Sequence, residues 1–240
     1  MTMRWDVAGG SVVGRDHARA GRNNQDAFAV RRAGDAVAAA VCDGCGAAAF
    51  SEWGARLGAE LVAGALARRA DAPWDELWEP VRAETLDGLR RAAALIGDTH
   101  EHLLFTIVAA LARDGEAAAA AIGDGTVVWD GAILLSRDEE DAPAYLGHVL
   151  CGGGSAPLRP PLGEASRGPP SGVGRGFRVL AQGPCRQIAL GTDGAETVAV
   201  SPLFDDDLVW KNPDGLRRRL ARTGGLQDDA TLVLLRRMPW

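Results

Sequence analysis

The chain has 240 residues, 47% of them hydrophobic, which is enough to bury a sizeable core as one enzyme-sized domain over 1–240. A formal net charge of -6 and a pI near 5.3 leave no broad basic surface, which argues against nucleic acid as a partner. No apolar run approaches a membrane span, the start Met1-Thr2-Met3-Arg4-Trp5-Asp6 lacks the apolar centre of a signal peptide, and four cysteines are too few for a disulfide scaffold; a cytoplasmic protein with no membrane partner is expected.

In chain order, Val7 to Val13 and Ala27 to Arg31 read as strands flanking a polar loop that carries Asp26, and Ala36 to Val41 as a buried strand ending at Asp43. From Ser51, a plausible N-cap, Trp53, Leu57, Leu61 and Ala65 follow helical spacing, with Val62 and Leu66 widening the stripe. A second helical stretch opens near Pro73, carries Trp74, Leu77, Trp78 and Val81, is interrupted around Pro80, and resumes through Leu86, Leu89 and Ala93; its tryptophans read as core. Strand patterns at His102 to Leu111, Ala117 to Ile122, Thr126 to Trp129 and Ile133 to Leu135, separated by Asp114-Gly115, Gly123-Asp124-Gly125 and Asp130-Gly131, predict an antiparallel meander.

The stretch from Cys151 to Gly176, rich in glycine and proline, predicts a long loop, either a functional flap or a poorly ordered segment. Beyond it come a strand at Gln187 to Leu190, a helix from Asp214 to Arg222 closed by Gly224-Gly225, and a last strand from Ala230 to Leu235. This order of elements suggests stacked sheets covered by helices, and no repeat period is present.

Five acidic islands stand at the edges of apolar runs: Asn23-Asn24-Gln25-Asp26, Cys42-Asp43-Gly44, Gly123-Asp124-Gly125, Thr192-Asp193-Gly194 and Gln227-Asp228-Asp229. Hard divalent cations take oxygen ligands and usually keep several waters, so carboxylates delivered to loops at strand ends read as a metal site. Taken singly, Asp-Gly pairs are equally turn residues. Other polar features read as plain surface: Asp205-Asp206-Asp207 as an exposed loop or helix start, and Arg217-Arg218-Arg219 as a solvated helix face. His100, His102 and His148 carry no spacing signal, and Cys42 with Cys45 forms a lone CxxC without a second close pair for zinc.

The ordered series Gly14, His17, Gly21, Asn24-Gln25-Asp26-Ala27, Val41-Cys42-Asp43-Gly44, Ser51, Gly54-Ala55, Ile122-Gly123-Asp124-Gly125, Leu190-Gly191-Thr192-Asp193-Gly194 and Asp228-Asp229-Ala230-Thr231-Leu232 resembles the metal-dependent PP2C (PPM) serine/threonine phosphatases of bacterial type. The likeness runs over nearly the whole chain. It implies an α+β fold, a four-layer α-β-β-α sandwich of two stacked, mainly antiparallel sheets. It further implies a binuclear Mn²⁺ or Mg²⁺ centre held by Asp26, Asp43, Asp193, Asp228 and the carbonyl of Gly44, with Asp124 and Asp193 holding a third ion.

The activity implied is hydrolysis of phosphoserine or phosphothreonine in proteins by a metal-activated water, and the partner a phosphorylated protein, a serine/threonine kinase or its target, met by a monomer. Three positions depart from the family. Gln25 replaces a glutamate that many members have, although it can accept a hydrogen bond from metal-bound water. Gly21 occupies the place of the phosphate-gripping arginine, which leaves Arg22 and His17 as candidate phosphate contacts. Cys45 stands where animal members have a histidine acid. Asp229 is expected beside the site rather than as a ligand. Two further readings stay open: a catalytically weak pseudophosphatase that binds a phosphoprotein or kinase, and, ranked last, a thiol or zinc module at Cys42 and Cys45.

Overall fold

The computed structural model describes residues 3–137, 143–150 and 176–239, so all but Gly176 of the long loop expected at 151–176 lies outside the described residues. Strands β1 (Met3–Val12), β2 (Asp26–Ala33), β3 (Ala36–Gly44), β4 (Phe105–Arg113), β5 (Glu116–Ile122), β6 (Gly125–Trp129), β7 (Ala132–Ser136), β8 (Arg178–Pro184), β9 (Gln187–Gly191) and β10 (Ala230–Pro239) form two antiparallel five-stranded sheets. One has the order β1-β10-β9-β6-β7, the other β2-β3-β4-β5-β8.

Helices α1 (Arg15–Ala20), α2 (Ser51–Ala67), α3 (Trp78–Ile96), α4 (Thr99–His102), α5 (Ser201–Phe204), α6 (Asp207–Lys211) and α7 (Gly215–Arg222) are joined by 3₁₀ turns at Trp74–Glu76, Leu146–Leu150 and Asp193–Ala195. Three apolar cores separate four layers. The first lies between α2, α3 and the second sheet, around Val62, Leu66, Leu89 and Phe105. The middle one, between the sheets, contains Trp5, Val41, Val108, Leu190 and Val233. The third, around Phe204, Leu216, Leu220 and Leu234, packs α5 to α7 on the first sheet.

Burial on both faces accounts for the unbroken apolar runs of the inner strands. β5 is the extreme case, since Ala117 to Ala121 have little strand propensity of their own and are extended because both their faces are covered. The expected meander is divided: β4 and β5 form a hairpin in one sheet and β6 and β7 a hairpin in the other, with Gly123-Asp124 crossing between them. Both hairpin turns place positive φ at an Asp-Gly pair (Asp114 48°, Gly115 81°; Asp130 46°, Gly131 88°), which matches the twist of the paired strands.

The apolar stripe of α2 is rotated from the one the sequence suggests. Trp53 is 66% exposed, while the expected Val62, Ala65 and Leu66 are buried together with small residues, Gly54, Ala55, Gly58, Ala59 and Ala63. A Cβ on Gly58 would stand 2.2 Å from the Phe105 ring, so close approach to β4 selects that face and turns the bulky indole outward. Pro80 does not interrupt α3 either. It sits in the first turn, where its missing N–H has no helical acceptor, and the helix begins at Trp78 after a 3₁₀ turn at Trp74–Glu76. Trp78 is core, whereas Trp74 is half-buried beneath the Arg113 guanidinium. β4 starts three residues later than expected because Thr99 to His102 form α4, capped by the Asp98 carboxylate accepting from Glu101 N.

Candidate metal centre

Four strand ends converge at one end of the sandwich. β2 begins at Asp26 and β3 ends at Asp43-Gly44, and the register places Asp26 directly opposite Asp43. From the other sheet, β9 runs out into Thr192-Asp193 and its antiparallel neighbour β10 starts just after Asp228-Asp229, with Gly191 facing Leu232. The Thr192 hydroxyl donates to Asp26 Oδ2 at 2.8 Å and ties the two sheets together across the site.

Like charges directly opposite on a strand pair repel, and here they do so with little water to screen them. Burial pushes the Asp26 carboxyl up to about 7, opposed by hydrogen bonds from Thr192 and Thr231 and reinforced by Asp229 and Asp193. Asp43 is held well above the ordinary carboxylate range, first by burial and then by Asp26, Asp193 and Asp228. Asp26 Oδ1 is buried and has no hydrogen-bond partner. An orphaned carboxylate oxygen inside an all-oxygen acidic cluster fits a hard divalent cation.

Asp228, whose side chain is 63% exposed, and the exposed Asp193 face this pair from the solvent side. Asp124 lies at the crossover between the sheets, next to Gly123, whose carbonyl accepts from the buried Ser136 hydroxyl at 2.5 Å. Gly44 closes β3, with its N–H donating to Gln25 O at 3.1 Å.

Asp229 is 3% exposed and gathers the N-terminal loop. Its carboxylate accepts from Gly14 N at 2.7 Å and Gln25 N at 2.6 Å, and its Oδ2 lies 2.8 Å from His17 Nδ1. Backbone bonds from Arg15 and Asp16 to Leu226 and Gln227 dock the start of α1 on the same segment. The ligand atoms of His17, Asp228 and Asp229 all lie within 4.8 Å of one another, so an imidazole borders the acidic cluster. Gly194 closes the group from above: a Cβ there would stand 2.0 Å from Asp229 O.

Arg22 is turned toward the loop that follows Asp43, donating from Nη1 to Gly46 O and from Nη2 to Ala48 O, both at 2.7 Å. Gln25 Nε2 donates to the same Ala48 carbonyl at 3.1 Å, while its Oε1 is buried without a partner. The guanidinium and the amide thus clamp residues 45–48 over the start of β2. Cys42 is fully buried in β3 with its thiol pushed well up by burial, and Cys45 follows it on the clamped loop; both are free thiols. Asp206 caps α6 and Arg217 and Arg218 pair with Asp214, in keeping with surface roles.

Sequence reasoning missed three residues of this neighbourhood. Thr192 and Thr231 orient Asp26, and their only signal was position, Thr192 opening one acidic island and Thr231 two residues beyond another. Tyr145, the single tyrosine, has its phenol raised by burial and further by Cys45, Asp43 and Asp124, which places it beside the acids; nothing in its sequence surroundings marked it.

A four-layer sandwich with carboxylates collected where two antiparallel sheets end is the architecture of metal-dependent protein phosphatases. The chain belongs to one of their families: the sequence model of protein phosphatase 2C matches residues 13–229. No curated protein matches it in a sequence search. Among solved structures it is similar to the catalytic domain of the serine threonine protein phosphatase PstP in complex with two manganese ions (20% identity, 99% of this chain and 100% of that one, TM-score 0.54). It is also similar to PppA, described as a key regulatory component of T6SS in Pseudomonas aeruginosa (21%, 99% and 100%, 0.55), and to a structure of the bacterial stressosome (15%, 97% and 100%, 0.57). At these identities the likeness is one of fold. Among the described residues, no helix is long and apolar enough to cross a membrane.

Proposed function

We propose that this protein is a phosphatase that hydrolyses phosphoserine or phosphothreonine in proteins and takes Mn²⁺ or Mg²⁺ as cofactor. The observation that carries this reading is the Asp26–Asp43 pair, two clustered carboxyls with raised pKa values and one unpartnered oxygen, whose ionised forms a bound cation would favour. Asp26, Asp43, Asp193, Asp228 and the Gly44 carbonyl would hold two ions, and Asp124 with Asp193 a third. Ions bound there supply a Lewis acid that lowers the pKa of water and offsets charge on phosphoryl oxygens.

The chain's own groups prepare that site. Thr192 and Thr231 fix the orientation of Asp26, Asp229 keeps the loop carrying it in place, and the clamp on residues 45–48 fixes the exit from Asp43. Arg22, with two of its five donors on loop carbonyls, and His17 at the edge of the acids are the candidate phosphate contacts. The substrate is a phosphorylated protein, a serine/threonine kinase or its target. Free thiols at Cys42, Cys45 and Cys185 support action in the reducing cytoplasm.

Gly21 at the family's arginine position and the Gln25 amide engaged on Ala48 favour, as second reading, a weak pseudophosphatase that binds a phosphoprotein. One assay separates the two: hydrolysis of para-nitrophenyl phosphate and a phosphothreonine peptide with Mn²⁺ or Mg²⁺, with and without chelator. Turnover is expected to require the metal and to fall at least about 100-fold in Asp193→Asn, the scale of losing a catalytic electrostatic element. A native chain with no metal-dependent turnover rules out the enzyme.

A further inference from the structure

We propose that Arg137 forms a specificity subsite at the rim of the metal centre, reading an acidic side chain a few residues from the phosphorylated one, so that phosphopeptides with acidic flanks are the preferred substrates. This rests on the phosphatase reading.

Arg137 follows the last residue of β7, and its base is fixed from two sides. The Ser136 hydroxyl is buried on Gly123 O, while Arg178 donates from Nη1 to Arg137 O at 3.2 Å and reaches the Ser136 hydroxyl with Nη2. Gly125 faces Ser136 across the β6–β7 hairpin, so Asp124 and Arg137 are the residues immediately beyond that pair. On the other side, Arg137 Nη2 donates to Glu196 Oε2 at 2.6 Å. Glu196 closes a 3₁₀ turn whose N–H bonds back to Asp193 O at 2.9 Å, and side chains three apart in such a turn eclipse, which sets the guanidinium on the Asp193 side of the site.

The Arg137–Glu196 pair adds little stability, since its side chains are 62% and 26% exposed. It does orient a planar fork of five donors, only part of which faces Glu196. The other arginines near the site have different tasks: Arg22 holds two loop carbonyls beside its candidate role as phosphate contact, and Arg178 donates to Ser136 and Arg137 O. Cations held by Asp43, Asp193 and Asp228 would offset the charge of those acids, and the Arg137 guanidinium adds a fixed positive group for an approaching carboxylate. One 3₁₀ turn plus the Glu–Arg reach puts the guanidinium roughly 10 Å from Asp193. That distance corresponds to about three residues of extended peptide, too far for the phosphoryl group and suited to a flanking residue.

The test compares native protein, Arg137→Ala and Arg137→Glu on phosphothreonine peptides that differ only in carrying acidic, neutral or basic residues within three positions of the phosphothreonine, with para-nitrophenyl phosphate as a substrate without flanks. The native protein is expected to show a KM about tenfold lower for the acidic than for the neutral peptide. Arg137→Ala should abolish that preference, and Arg137→Glu should make the basic peptide the best, while turnover of para-nitrophenyl phosphate stays within about twofold. Native turnover with the same flank preference in all three proteins overturns the subsite and leaves the phosphatase reading intact. Should native turnover be absent, the phosphatase reading fails, and peptide binding by fluorescence anisotropy decides the subsite: an acidic preference that Arg137→Glu does not invert overturns it.

Discussion

Asp228 and Asp229 are neighbours in sequence and opposites in environment. Asp228 projects to solvent at the rim of the acidic cluster, whereas Asp229 is buried and accepts hydrogen bonds that hold the N-terminal loop. Replacing Asp229 by Ala strands the buried N–H groups of Gly14 and Gln25 and frees His17, which is expected to cost roughly 3 to 5 kcal/mol. Asp228→Ala, at an exposed position, should cost less than about 1 kcal/mol. Urea unfolding measures both; near-equal effects would contradict the division of roles. The sequence showed two adjacent acids and resemblance ranked them. Which one turns inward depends on α1 docking beside them, a contact between residues more than 200 positions apart.

At the scale of elements, α1 is a short helix inside what reads as a plain loop, and Gly21 ends it in the left-handed conformation (φ 67°). An arginine can be placed there, since nothing lies within 4 Å of the added Cβ, but it carries the strain of that backbone. Gly21→Arg is therefore expected to lower stability by about 1 kcal/mol while lowering KM for para-nitrophenyl phosphate. A thermal scan and a substrate titration check the two halves, and an unchanged KM would count against an unfilled arginine position. Inner strands were legible because burial on both faces demands apolar runs. β8 was not, because Arg178, Val179, Gln182 and Pro184 are exposed on an edge strand and leave no such run. On α2 the stripe through Val62, Ala65 and Leu66 was legible, but Trp53 was misplaced and Gly54 and Gly58 overlooked, because close packing against Phe105 favours residues without bulk.

For the whole molecule, the acidic cluster is expected to couple stability to pH and, if the proposed ions bind, to metal. Asp26, ordinarily near 3.8, is raised to about 7 in the folded chain, and Asp43 is raised as well. Between pH about 4 and about 7 the metal-free folded protein therefore keeps protons that the unfolded chain has released, so its stability decreases as pH rises through that window. Cations bound at the proposed site would replace those protons and reverse the trend. Chelated protein should melt several degrees lower at pH 7.5 than at pH 5, and Mn²⁺ should raise Tm much more at pH 7.5 than at pH 5. A chelated Tm that is equal or higher at pH 7.5 would refute the coupling.

The sequence by itself determined the stacked sheets with their helical covers and the carboxylates at strand ends, because two-sided burial writes itself as apolar runs and hard-cation chemistry as acids at their edges. Only the tertiary structure decided which carboxyls are buried, which threonines and tyrosine stand beside them, that Arg22 clamps a loop, and that Arg137 pairs with Glu196 just beyond the Asp193 turn. Those properties arise from contacts between distant segments, across the two sheets and between α1 and the start of β10, and no local pattern of residues encodes them.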